Sequence, residues 1–170
     1  MPESTPGAAD IECALLAALA AIQVRGVIGE VSLTAAVVHA DQFVAQLPQS
    51  VATLADLGSG GGLPGLVIAS RRPDIAITLV ERRRSRADLL QRAVLALRLD
   101  NVRVFSGDVS RLAQEQPQSF DAVTARSFAA PPITARWAGE LLVVQGLLVV
   151  SEPPRPVYGR WPARILGPAG

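Results

Sequence analysis

Apolar and polar positions along the chain fall into two regimes, and the change comes near residue 50. Before it the spacing is helical. Residues 11–24 are apolar with polar breaks at helical intervals, Asp10 is placed to cap the start, and Gly26 to stop the run. Leu33, Val37, Ala40 and Val44 then recur at helical spacing over residues 33–46, ahead of Pro48. These two helices predict an N-terminal helical cap over residues 1–50, with a frayed lead-in at 1–9.

From Thr53 onward, short apolar runs alternate with amphipathic stretches. Strands are predicted at 53–57, 75–80, 102–105, 121–125 and 147–151, and helices at 64–71, 85–97, 110–116 and 132–143. This alternation gives βαβ units with right-handed crossovers, hence an α/β fold with a doubly wound, mostly parallel, Rossmann-like sheet over residues 51–152. After Glu152 the composition turns to Pro, Gly and Arg. Pro153, Pro154, Pro156 and Pro162 forbid a regular central strand in the tail at 153–170, where only 163–166 fits a brief pairing. A seven-stranded sheet of this type would lack its last two strands, leaving the fifth strand as an uncovered edge that invites a homodimer.

Composition narrows this picture in a few places. A chain of 170 residues fits one domain, and 49% hydrophobic with only 4% aromatic residues implies a core of Ala, Val, Leu and Ile, as in a parallel sheet covered on both faces. Cys13 is the one cysteine and His39 the one histidine, so neither a disulfide within the chain nor a Cys/His zinc cluster is expected. His39, inside the second helix, is read as a packing residue. The apolar run 13–22 is too short to span a bilayer, and Glu3, Asp10 and Glu12 stand where a signal peptide would be basic. No membrane segment and no metal are expected, and a reduced cytoplasmic setting is. Net charge is +1, which exerts no strong overall pull on nucleic acid, and all of the basic residues are Arg.

Candidate chemistry concentrates where the predicted strands end. Residues 54–65 read Leu-Ala-Asp-Leu-Gly-Ser-Gly-Gly-Gly-Leu-Pro-Gly, an apolar run closing in Asp56, then a glycine-rich turn, then a helix opened by Pro64. Glu81 closes the second strand, Asp108 follows the third, and Thr124-Ala125-Arg126 ends the fourth. In a sheet of this type ligands bind outside the carboxyl ends of the strands. Gly60, Gly62 and Gly65 match the dinucleotide fingerprint, with Glu81 at the distance of a ribose-binding acid. Asp56, however, would face a pyrophosphate with a like charge. A cationic ligand such as S-adenosylmethionine suits the signs better: its amino group and sulfonium near Asp56, its ribose on Glu81, its adenine amino group on Asp108.

The run from Asp56 to Gly65 resembles the first motif of class I S-adenosylmethionine-dependent methyltransferases. Its Gly-Leu-Pro-Gly ending, with Arg72-Pro73-Asp74 after it, is similar to the small-subunit ribosomal RNA guanine-N7 methyltransferases, also called glucose-inhibited division protein B. Leu97-Arg98-Leu99-Asp100-Asn101-Val102 resembles that family's Leu-Gly-Leu-x-Asn-Val, and residues 120–127 resemble its Phe-Asp-x-Val-x-x-Arg-Ala. Arg25 to Gly29 and His39 sit where the family has its helical region and a histidine. The sequence departs from the family after His39, at Asp108, and beyond Glu152.

The resemblance implies S-adenosylmethionine held by Asp56, Gly58, Ser59, Gly60, Gly62, Leu63, Pro64, Glu81, Arg82, Asp108, Val109 and Arg126. It also implies ribosomal RNA or the small ribosomal subunit as partner. Guanine N7 offers a lone pair at neutral pH, so methyl transfer there needs alignment and no general base. Arg126 is the candidate for positioning substrate or the cofactor carboxylate. Arg83, Arg84 and Arg86, at the start of the helix after the second strand, either bind RNA phosphates or form a solvated helix start. Phe128, Trp137, Tyr158 and Trp161 are the aromatics suited to base stacking, with Phe128 nearest the site. Two other readings stay open: a non-catalytic or dimerising cofactor-binding homologue, and a small-molecule methyltransferase.

Overall fold

The computed structural model describes residues 7–151 and Trp161. Residues 152–160 and 162–170 lie outside the described residues, and with them the expected brief pairing at 163–166 and the expectation about two further strands. Helices α1 (Ala8–Gln23) and α2 (Leu33–Ala45) precede β1 (Thr53–Leu57), α3 (Gly65–Arg71), β2 (Ala76–Glu81), α4 (Arg84–Ala96) and β3 (Val102–Ser106). The chain continues through α5 (Val109–Glu115), β4 (Phe120–Ala125), α6 (Pro131–Leu141) and β5 (Leu142–Val150). The five strands form one sheet in the order β3-β2-β1-β4-β5, every neighbouring pair parallel.

Side-chain alternation along the central strands separates two cores. Leu54 of β1 and Leu79 of β2 join one cluster with α1 to α4, including Leu15, Leu19, Val37, Leu66 and Leu90. Ala55 and Leu57 point the other way, into a cluster with Leu112 of α5 and Leu141 of α6. No helix among the described residues is long and apolar enough to cross a membrane.

Polar ties lock the layers at their lower ends. Arg71 of α3 pairs with Glu12 of α1 and with Asp41 of α2, which fastens both N-terminal helices to the sheet. Arg72 is buried; its guanidinium grips Asp74 at 2.7 Å and donates to the carbonyl of Leu47 at 3.3 Å. Asn101, part of the Leu-x-Asn-Val resemblance, donates from Nδ2 to the carbonyls of Ala69, Arg72 and Ile75 and so anchors the end of α3.

Two expectations need correction. Asp10 does not precede α1: Gly7 is the N-cap, and its N–H donates to Asp10 Oδ2 at 3.1 Å, so the carboxylate serves the helix start from within the first turn. The fifth strand begins at Leu142 rather than 147, directly after α6. Residues 141–150 are an unbroken apolar run but for Gln145-Gly146, and such a run fits helix and strand alike. Gln145 at φ +66° and a register shift opposite Phe120 and Ala122 accommodate the kink.

Asp121 gives a direct test of how β4 is held to β1. Its Oδ2 accepts from the N–H of Ala52, the N–H of Thr53 and the hydroxyl of Thr53, each at 2.9 Å. These bonds, the Ala52 amide foremost, hold the carboxyl below its ordinary pKa. Asp121→Ala should cost about 1–3 kcal/mol at neutral pH, the usual penalty for stranding such donors. Because the folded pKa is depressed, the stabilisation is present above the unfolded value and lost as pH falls through the folded one. Urea denaturation at neutral and at acid pH should show the wild-type advantage shrinking in acid; an advantage independent of pH would contradict it.

Candidate functional site

A cleft of about 350 Å³ opens at the carboxyl ends of β1 and β2, flanked by the segments after β3 and β4. Gly58, Glu81, Arg82, Arg83, Arg86, Asp108, Val109 and Phe128 line it together with Gly107, Ser127 and Trp137. Of the residues singled out from sequence, these eight are brought to one place. Ser59, Gly60, Gly62, Leu63 and Pro64 shape the turn beside them, and Arg84 is exposed at the first position of α4 without lining the cleft.

The glycine turn is held by its own amides. Ser59 N–H donates to the carbonyl of Val80 at 2.9 Å, Gly62 N–H to Ser59 at 2.7 Å, and Gly60 N–H to Glu81 Oε2 at 3.0 Å. Glu81 is buried and spends its other oxygen on Arg83 N–H at 2.8 Å. One carboxylate thus bolts the turn after β1 to the start of α4 while still facing the cleft. At Gly58 the backbone is left-handed, φ +65°, and a Cβ there would lie 2.8 Å from the Phe128 ring, so Phe128 sits directly over the turn.

Asp56 lies beneath this turn, 1% exposed, and lines neither this cleft nor the cavity beside it. Its Oδ1 accepts from the Thr124 hydroxyl at 2.8 Å, across the β1–β4 register that pairs Asp56 with Thr124. Oδ2 has no hydrogen-bond partner among the described residues. A Cβ at Gly65 would come within 2.7 Å of it, so the helix start closes onto the carboxylate. Burial raises the pKa of Asp56 from 3.8 to about 6, against the lowering pull of the Thr124 hydroxyl and, more weakly, the Arg126 charge. Arg126 itself is half-buried and lines neither cavity.

Asp108 is the N-cap of α5. Its Oδ1 accepts from Ser110 N–H at 2.9 Å and from the Ser110 hydroxyl at 2.7 Å, and these bonds, the hydroxyl first, hold its pKa below the usual value with help from Arg82. Its exposed carboxylate therefore stays charged at the cleft mouth.

A second cavity, about 410 Å³, shares Ser127, Phe128 and Ala129 with the first and adds His39, Thr134, Trp161 and the end of β5. Of this half the sequence offers the aromatics Phe128 and Trp161 as stacking candidates, while His39 reads there as a packing residue and Thr134 is not singled out. His39 is not packed inside: it is exposed, edge-on to Phe43 at 5.9 Å, and reaches the cavity because α2 lies over the β4 side of the sheet opening. Ser127 takes a left-handed backbone at φ +53°, which turns the chain between the two cavities. Thr124 was legible only as part of the strand-ending trio, and Trp137 enters from the helix after it.

The residues present fit a methyl donor of the S-adenosylmethionine kind. The cleft has the volume of a small-molecule site. Glu81 can accept hydroxyl groups on its remaining lone pairs, Asp108 can accept an amino group, and the orphaned Asp56 Oδ2 keeps negative charge under the turn.

The sequence profile of the family described as "GidB: rRNA small subunit methyltransferase G" matches residues 34–152. A ribosomal RNA small subunit methyltransferase G of Neisseria meningitidis is 44% identical over 94 residues, 55% of this chain and 44% of that protein. One from Acidiphilium cryptum is 42% identical over 106 residues, 62% of this chain and 47% of the relative. The chain thus spans about half the length of the curated relatives it matches. Among solved structures, coclaurine N-methyltransferase bound to N-methylheliamine and S-adenosylhomocysteine superposes with a TM-score of 0.60 at 21% identity, covering 73% of this chain and 38% of the other. That likeness shows the shared fold.

Burial of Asp56 generates a pH prediction with a definite sign. A folded pKa of about 6 against 3.8 means the folded protein holds the proton more tightly, so stability is present at low pH and lost as pH rises from about 4 to about 6. The shift corresponds to roughly 3 kcal/mol for the free protein. Asp56→Asn removes this titration. Thermal unfolding should therefore show the variant gaining on wild type between acid and neutral pH; parallel profiles would refute the buried charge.

Proposed function

Because the chain belongs to the rRNA small subunit methyltransferase G family, we propose that it transfers a methyl group from S-adenosylmethionine to guanine N7 of small-subunit ribosomal RNA. The family profile carries this reading, since it runs from α2 through the whole sheet to the end of β5. Held by Glu81, Asp108 and the glycine turn, the cofactor would supply an electrophilic methyl, the N7 lone pair forming the new N–C bond as the C–S bond breaks and S-adenosylhomocysteine leaves.

The chain's own residues do the positioning. Glu81 and Asp108 orient the cofactor's hydroxyl and amino groups, the Gly58 turn lets the ligand approach the backbone, and Asp56 offsets positive charge from below. The acceptor base enters the second cavity, with the Phe128 face and Trp161 available for stacking and His39 beside them. No group in either cavity is needed as a base, because N7 has no proton to lose. An RNA substrate of this kind places the protein in the compartment of the ribosome, the cytoplasm.

A second reading, a cofactor-binding homologue that pairs with its own copy along β5, is favoured by one observation. Among the described residues β5 pairs only with β4, and Val144 on it is 85% exposed.

Titration calorimetry with S-adenosylhomocysteine should show binding by wild type and a roughly 10–100-fold loss for Glu81→Gln, in line with removing a charged acceptor; no heat for wild type would sink the cofactor assignment. Incubation with small-subunit ribosomal RNA and labelled cofactor should then yield N7-methylguanosine on digestion. Cofactor binding without that product would favour the small-molecule or non-catalytic alternatives. Light scattering separates the edge-pairing reading: a dimer mass supports it and a monomer mass rejects it.

A further inference from the structure

We propose that the groove between the α1–α2 linker and α4, from its start to Arg92, binds a row of nucleic-acid backbone phosphates and so holds the RNA beside the cleft. The inference rests on the RNA reading just given, and it extends the site to a surface beyond the two cavities, adding Arg25 and Arg92 to Arg83 and Arg86 of the cleft rim. The groove encloses about 460 Å³ and is lined by Arg25, Arg83, Arg86 and Arg92, with Asp88 the one carboxylate among its lining residues.

Four guanidiniums converge there from two elements far apart in sequence. Arg71 pairs with Glu12 and Asp41, Arg72 with Asp74 and Arg111 with Glu115. Among the described residues none of the four groove arginines belongs to an ion pair. Arg83 and Arg86 also sit at the start of α4, where the helix dipole opposes positive charge. Mutual repulsion and the dipole therefore act in the same unfavourable direction, and an anion in the groove relieves both.

The groove wall is built rather than loose. Gln23 Nε2 donates to the carbonyls of Gly29 at 2.8 Å and Val31 at 3.0 Å, closing the linker on itself. Ile28 presses on the glycine turn so closely that a Cβ at Gly61 would lie 2.3 Å from its side chain. The linker is thus clamped to the cofactor loop at one end and supplies Arg25 to the groove at the other.

Shape selects the ligand. Arg83 and Arg92 lie nine residues apart on the sequence of α4 and its cap, roughly 13 Å along the helix axis. A single phosphate cannot span that length, whereas successive phosphates of one strand can. Arg83 and Arg86 line both groove and cleft, so a strand lying in the groove leads its next nucleotides toward the site of transfer.

The double variant Arg25→Ala/Arg92→Ala removes charge from the groove and leaves every cleft residue in place. Binding of a small-subunit ribosomal RNA fragment to the full chain, followed between about 50 and 200 mM salt, should weaken by about tenfold, and its log–log salt slope should fall by about 1.4–1.8, the expectation for two lost phosphate contacts. Arg25→Lys/Arg92→Lys should restore most of the slope, and S-adenosylhomocysteine affinity should match wild type throughout. Wild-type RNA affinity and slope in the double alanine variant would overturn the groove while leaving the methyltransferase reading intact. Failure of wild type itself to bind RNA would overturn both.

Discussion

A carboxylate with nowhere to go organises the carboxyl end of this sheet. Asp56 is buried at the seam between β1 and β4, satisfied on one oxygen by Thr124 and left with an orphaned oxygen under the N-terminus of α3. Burying such a group is costly unless something positive or donating closes over it. Here the closing structure is the glycine turn and the start of α3, and Gly65 is required because any side chain would strike Oδ2 or Leu79. The turn's position, and with it the place of Gly58 under Phe128, follows from that one buried charge.

Glu81 repeats the device at the neighbouring strand, but with both oxygens engaged by backbone amides of Gly60 and Arg83. The two carboxylates do different work. Asp56 biases the electrostatic field beneath the turn, whereas Glu81 links the turn to α4 and thereby to the arginines at that helix start. A ligand that engages Glu81 acts on the same residue that sets the position of Arg83, so cofactor binding and the basic groove are mechanically adjacent.

Much of this arrangement is written locally. The strand run ending in Asp56, the glycines after it and the acids at Glu81 and Asp108 are all within reach of period and punctuation, because each depends on its own few neighbours. The β1 boundaries match the structure for the same reason. What could not be read depends on contacts across the sheet. Nothing near His39 in sequence indicates that α2 carries it to the rim of a cavity shared with Phe128. Thr124 matters only because the β1–β4 register sets it opposite Asp56. The start of β5 was misplaced because an apolar run has no period to distinguish strand from helix, and the preceding α6 passes into it without a break.

Near-zero net charge hides a gradient of sign. The cleft mixes the strand-end acids Glu81 and Asp108 with Arg82, Arg83 and Arg86, whereas the neighbouring groove sets four arginines against Asp88. On the proposed reading, attack by a neutral ring nitrogen on a sulfonium methyl is governed by distance and alignment, so the two surfaces would have to hold a cation and a polyanion side by side. Glu81 and Arg83 stand where cleft and groove meet, joined by the Arg83 N–H donating to Glu81 Oε1 at 2.8 Å. The buried Glu81 carboxylate, spent on the amides of Gly60 and Arg83, fixes the glycine turn against the start of α4, and under the proposed reaction that coupling would keep donor and acceptor in register.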